Sequence, residues 1–117
     1  MKVYLSQSNR KNKKYSILIG HKKIDFGDDR YEDYTQHGDP KRKALYIQRH
    51  KKNEDWNNPF GRLGGNLDDR GNPRSTPAVL TAGWWSRFLL WEKPTIEEAI
   101  KDIKKRFGII VLQARQE

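Results

Sequence analysis

Residues 81–91, Thr81-Ala82-Gly83-Trp84-Trp85-Ser86-Arg87-Phe88-Leu89-Leu90-Trp91, hold three of the four tryptophans of this chain. Elsewhere apolar residues are scarce: 34% of the 117 residues are hydrophobic and 33% are charged. Any core must be built around this segment, because large rings supply most buried area per residue. Trp84, Phe88 and Trp91 fall at i, i+4 and i+7, which places them on one helical face, and Trp85 and Leu89 widen it. The pattern predicts a helix over 82–91, capped by Thr81 and buried around most of its circumference.

The flanking segments predict the elements that cover this helix. Val3 and Leu5 alternate with polar residues, Tyr15-Ser16-Ile17-Leu18-Ile19 is β-branched and aromatic, and Lys23-Ile24-Asp25-Phe26-Gly27 alternates again. A short strand followed by a hairpin is the reading, with Ser6–Lys14 as a basic loop and Gly20-His21-Lys22 as the turn. Residues 28–38 read as a polar connection. Asp39 followed by Pro40 is a helix start, and that helix runs to Lys52. Thr95-Ile96-Glu97-Glu98 is a capping box, Ile96, Ile100, Ile103 and Phe107 form a stripe, and Gly108 ends the helix. Ile109-Ile110-Val111-Leu112 reads as a buried strand. The fold class expected is α+β: one domain over 1–117, a small antiparallel sheet of the N-terminal hairpin plus the C-terminal strand, packed against three helices. Residues 57–80, with four Gly and three Pro, form a long irregular loop. Loops of that length are usually functional or disordered, so this one is expected to be mobile or held by a partner.

Two stretches carry a family resemblance. Tyr31-Glu32-Asp33-Tyr34-Thr35-Gln36-His37-Gly38-Asp39, Arg42-Lys43, Tyr46-Ile47-Gln48-Arg49-His50 and Trp56 form the first, and Thr81 to Thr95 the second. Together they resemble an uncharacterised family of small basic proteins encoded by nucleocytoplasmic large DNA viruses. The long 57–80 segment departs from that family's pattern. The resemblance implies a viral product acting in the host cytoplasm or nucleus, with packaging in the virion as a further expectation; it brings no catalytic residues with it.

Several classes are excluded by composition. With no cysteine there is no disulfide framework and no Cys-based zinc site. No apolar run of about 18 residues is present, so no membrane span is expected. Met1-Lys2-Val3-Tyr4-Leu5 lacks the apolar region of a signal peptide, and secretion is not expected.

The charge is the main functional signal. Lys and Arg number 24 against 15 Asp and Glu, a net charge of +9. Lys41, Arg42, Lys43, Arg49, Lys51 and Lys52 crowd the first helix; Arg10, Lys11, Lys13 and Lys14 form a second cluster; Lys101, Lys104, Lys105 and Arg106 a third. Charge runs usually are solvated faces, but a basic stripe is also the footprint of phosphate binding. Arg62, Arg70 and Arg74 could serve as a loop arm that orders on a phosphate backbone or a neighbouring subunit. The glycines Gly61, Gly64, Gly65 and Gly71 lack the Lys-Ser/Thr that would follow in a phosphate-cradling loop. Trp84, Trp85, Phe88 and Trp91 are expected in the core; Tyr31, Tyr34 and Trp56 are the better candidates for base stacking, although packing against the basic helix is the favoured reading for these rings too.

A hydrolytic site can be drawn from His37, Asp39 and His50, with Glu54 and Asp55 nearby. Zinc wants three or four ligands at definite spacing and magnesium nucleases want converging carboxylates; neither pattern is present. Expected, then, are no catalytic residues, no metal and no cofactor. The first reading is a non-enzymatic nucleic-acid binder contacting phosphates of DNA or RNA. The second is a minor capsid or core protein meeting acidic surfaces of other virion proteins through 57–80 and the termini. The third is a metal-dependent nuclease.

Overall fold

The computed structural model describes residues 1–51, 56, 59–60 and 77–113. Three consecutive strands, β1 (Lys2–Gln7), β2 (Lys13–Ile19) and β3 (Lys22–Asp28), pair antiparallel. Side chains alternate across a strand, so Val3, Leu5, Ile17, Ile24 and Phe26 fall on one buried face while Tyr4 and Leu18 fall on the other. Gly20, at φ 58°, opens the two-residue turn between β2 and β3. Lys13 and Lys14, expected in the basic loop, are strand residues: Lys13 pairs with Asp28, and Asn12 turns the chain into β2 with φ 65°.

The last strand, β4 (Ile110–Gln113), joins the free edge of β1, giving the order β3-β2-β1-β4. It runs parallel to β1, with Lys2 opposite Ile110 and Val3 opposite Val111. The sheet is therefore small and mixed, and the antiparallel expectation holds for the three N-terminal strands. A parallel neighbour needs a long crossover, and here everything from β2 onward supplies it. A four-residue apolar run carries no signal of its direction.

The aromatic segment and the helix that follows it cover the inner face of the sheet, and two further helices lie beside them. The polar connection contains a short helix, α1 (Tyr34–His37), which begins at a capping box: the Asp33 carboxylate accepts from Thr35 N, and the Asp33 N–H donates to Gln36. The basic helix, α2 (Pro40–His50), starts at Asp39 and Pro40 as expected and is closed by Lys51. A 3₁₀ turn, Ala78–Leu80, buries Ala78 and Val79, and Val79 N donates to the Pro59 carbonyl. Within the 57–80 segment Pro59, Ala78 and Val79 are thus buried, which the glycines and prolines did not suggest, while Phe60 is exposed; 57–58 and 61–76 lie outside the described residues.

The aromatic segment is one α-helical turn, α3 (Ala82–Trp85), continuing as a π turn over Ser86–Leu90. Thr81 caps it as expected. Trp84, Trp85, Phe88, Leu89 and Leu90 are buried, so the segment is the core element its sequence announced. The extra residue in the π turn changes its phase. Trp84 and Phe88 pack against Phe107, with ring centroids 5.2 and 5.0 Å away, whereas Trp91 leaves that stripe and stacks on Tyr46 of α2 at 4.3 Å. Indole N–H groups need partners when buried. Trp84 Nε1 donates to the Trp56 carbonyl and Trp85 Nε1 to the Val79 carbonyl.

The final helix, α4 (Ile96–Phe107), is capped by Thr95, whose hydroxyl accepts from Glu98 N, and ends at Gly108 with φ 71°. Its expected stripe faces the core: Ile103 is buried, and Ile96, Ile100 and Phe107 pack against the cluster. No described helix is long and apolar enough to cross a membrane.

Candidate nucleic-acid interface

A cleft of about 900 Å³ opens between α2 and the ends of β2 and β3, with the central aromatic segment as its far wall. Helical spacing decides which side of α2 faces it. Arg42, Leu45, Tyr46, Arg49 and His50 sit at i, i+3, i+4, i+7 and i+8, a single helix face, and all five line the cleft. Lys13, Lys14, Gly27 and Asp28 line the sheet side, and Tyr31, Glu32 and Asp33 form the rim. Ala82, Gly83 and Ser86 give the far wall small side chains, with Leu90 and Trp91 beyond them.

The floor depends on a glycine. Gly27 has φ 78°, and a Cβ there would lie 2.8 Å from Leu90 Cδ1. Strand and π turn can approach this closely because position 27 has no side chain.

Two of the basic clusters, 28 residues apart from Lys14 to Arg42, therefore meet in one cleft, but they meet acids there too. Lys14 Nζ lies 2.7 Å from Asp33 Oδ2 and donates also to Gln36, so this lysine is a structural tie to the α1 cap. Arg42 lies 3.9 Å from Glu32, a loose and exposed pair. Asp28 is held by Arg30 through two side-chain hydrogen bonds, which with the Arg30 backbone N–H bring its carboxyl down to about 2. Arg49 makes no ion pair among the described residues, and Lys13 faces Asp28 only at longer range. Lys13, Arg42 and Arg49 are the cations that an anion in the cleft would meet.

The remaining predicted cations lie elsewhere. Lys43 donates to the Glu92 carbonyl at 2.8 Å and sits 5.1 Å over the Tyr34 ring, joining α2 to the central segment. Lys41, Lys51, Arg10 and Lys11 are exposed and do not line the cleft. Lys101, Lys104 and Lys105 are exposed on α4, while Arg106 pairs with Glu92 and Asp102. Lys52, Arg62, Arg70 and Arg74 lie outside the described residues.

The aromatic candidates divide as clearly. Tyr31 is 69% exposed at the cleft rim, available to a planar ligand. Tyr34 is taken up by Lys43 and by an edge contact to His37. Trp56 packs against the core beneath the Arg87 guanidinium, 5.1 Å away, rather than beside α2. Tyr46, which the sequence did not single out, is sandwiched between Trp91 and His50.

The residues of the hydrolytic drawing do not converge. Asp39 accepts from Lys41 N as the α2 cap, and the Asp39 N–H donates to His37 Nδ1. His37 then packs on Trp91. His50 lies at the other end of α2, roughly 16 Å along an eleven-residue helix. Partial burial, and next the charge of Arg49, push the His50 imidazole below its usual value. Among the described residues no three His, Asp or Glu side chains are grouped to hold a metal ion; Glu54 and Asp55 lie outside them.

Fold and cleft define a small basic α+β protein with a concave, mixed-charge site between a sheet end and a cationic helix. Residues 3–50 match the model of a family of unknown function (DUF5754), a span that runs from β1 to the end of α2. The matched stretch holds the cleft's four cations and Tyr31, while the wall from Ala82 to Trp91 lies beyond it. No curated protein and no solved structure matches the chain.

Proposed function

We propose that this protein binds nucleic acid without catalysing a reaction on it, and that a single strand lies in the cleft beside α2. The observation that carries this reading is the convergence of Lys13, Arg42 and Arg49 on one concave surface with the exposed ring of Tyr31. Cations in a groove track a phosphate backbone, and an exposed ring stacks a base whatever its sequence. A cleft walled on both sides suits one strand better than a duplex, which would need its cations on an open surface. Asp28 and Asp33 are held by Arg30 and Lys14, and Glu32 lies only loosely against Arg42 at 3.9 Å, so the acids do not cancel Lys13 and Arg49 and leave Arg42 open to a phosphate. The resemblance of 31–56 and 81–95 to small basic proteins of large DNA viruses supports a viral setting, in host cytoplasm or nucleus and in the particle.

Binding of labelled single-stranded DNA, RNA and duplex DNA across a salt series tests the reading. Affinity is expected to fall steeply with salt, most for single strands, and the Arg42→Ala, Arg49→Ala double variant is expected to lower the slope by about 1–2. No binding at low salt, or an unchanged slope in the double variant, overturns it. The role of a particle component, contacting acidic protein surfaces through 57–80 and the termini, is the reading that would then take its place.

A further inference from the structure

The sheet has a second face that none of the described helices covers. One cross-strand row on it runs through all four strands: Lys23 lies opposite Leu18, Leu18 opposite Tyr4, and Tyr4 opposite Leu112. Tyr4 is 46% exposed, Leu18 42% and Leu112 38%, so the three form one continuous apolar line. The next row is polar and closed. Ser16 and Ser8 both donate to the Asp25 carboxylate, and the loop that carries Ser8 folds over this end of the face. Those hydrogen bonds satisfy Asp25 and hold its carboxyl below the usual range. The apolar row therefore has a finished polar neighbour on one side and the exposed Lys2 on the other; at its β3 end Lys23 donates to Asn9 at 2.8 Å and lies 3.8 Å from Asp25.

We propose that this face docks one amphipathic helix of a partner protein, its apolar residues on the row and its acidic residues toward Lys2. Dimensions favour a helix laid across the strands. Strands lie about 4.8 Å apart, so Leu18, Tyr4 and Leu112 span roughly 10 Å. Residues i, i+4 and i+7 of a helix span about 10.5 Å. Charge decides the kind of partner. A second copy would bring together two chains of net charge +9, each with its exposed Lys2 beside the row, whereas acidic flanks would be drawn in. A nucleic acid would find a single ring among two leucines that cannot stack. The surface is separate from the cleft, and this inference does not depend on strand binding there.

Titration of the isotopically labelled protein with a synthetic helical peptide tests it by NMR. The peptide carries Leu at i, i+4 and i+7 with Glu on the flanks; its control has the same composition with the leucines dispersed. Shifts are expected on β1, β2 and β4 at the row, with at least about tenfold weaker binding to the control. Tyr4→Ser is expected to weaken binding to a similar degree, and Arg42→Ala to leave it unchanged. Leu18→Ser serves if Tyr4→Ser lowers the melting temperature. Equal binding of the control, shifts confined to the cleft, or no shifts at millimolar peptide overturns the proposal. So does a dimer lost in Leu18→Ser, or binding of phosphatidylserine vesicles or of single-stranded DNA that maps to this row.

Discussion

The basic helix α2 and the aromatic segment 82–90 are both about ten residues long, yet the fold holds them in opposite ways. In α2 one residue, Tyr46, is buried; in the aromatic segment Trp84, Trp85, Phe88, Leu89 and Leu90 are. The aromatic segment is fixed by volume on every side except the cleft, toward which Ala82, Gly83 and Ser86 lie. α2 is fixed by a few directed contacts: the Tyr46 ring on Trp91, Lys43 on the Glu92 carbonyl, and Asp39 at its start. A helix held this lightly leaves most of its surface open to a partner, while the aromatic segment shows the cleft little beyond small residues. The difference separates stability from binding along the chain, and substitutions can break or sharpen that division.

The largest effect is expected from Trp85→Ala. It removes a fully buried ring and its bond to Val79, and is expected to cost about 3–5 kcal/mol in chemical denaturation. Gly27→Ala should follow. The added methyl meets Leu90 in a left-handed backbone, and about 1–3 kcal/mol is expected from overpacking alone. Asp39→Ala removes the cap of α2 and is expected to cost about 1 kcal/mol. A larger loss there would show that α2 is bound to the core more firmly than its contacts indicate.

The Arg42→Ala, Arg49→Ala double variant should sharpen the contrast. Stability is expected to change by less than about 0.5 kcal/mol, as for surface positions, while strand binding falls. The smallest effect concerns His50. Its imidazole is expected to titrate below 6.5 by NMR, and Arg49→Ala should move it part of the way back, since burial is the larger cause. A histidine lowered by folding favours the folded state fully above its unfolded value. That contribution is lost as pH falls through the lowered value, so α2 should loosen in mild acid.

What could be read in the sequence follows the range of the forces involved. Asp39-Pro40 and the Thr95 to Gly108 frame are local signals, and both helices start where those residues say. The three N-terminal strands follow from alternation in the same way. The parallel pairing of β4 is set by a crossover of some hundred residues, which Ile109 to Leu112 do not encode. The π turn is invisible for a related reason: Trp84, Phe88 and Trp91 fit an ordinary helix, and packing against Phe107 on one side and Tyr46 on the other pulls Trp91 out of line. The candidate site was half legible. Its cations were conspicuous, but their choice was not. Leu45 and Tyr46, between Arg42 and Arg49 on one face, are the signal that separates the cleft cations from Lys41 and Lys51. Gly83 and Ser86 gave no sign, because small residues matter here for the room they leave.

The pairing of β1 with β4 sets an order of events for the growing chain. β1 is synthesised before the other strands and its edge waits longest, until residues near position 110 emerge to cover it. Meanwhile the β1–β3 meander can form, yet its apolar face has neither the aromatic segment nor α4 to lie against. Contacts this distant in sequence make folding slow and leave open edges exposed along the way. The four-stranded sheet closes only when β4 meets β1.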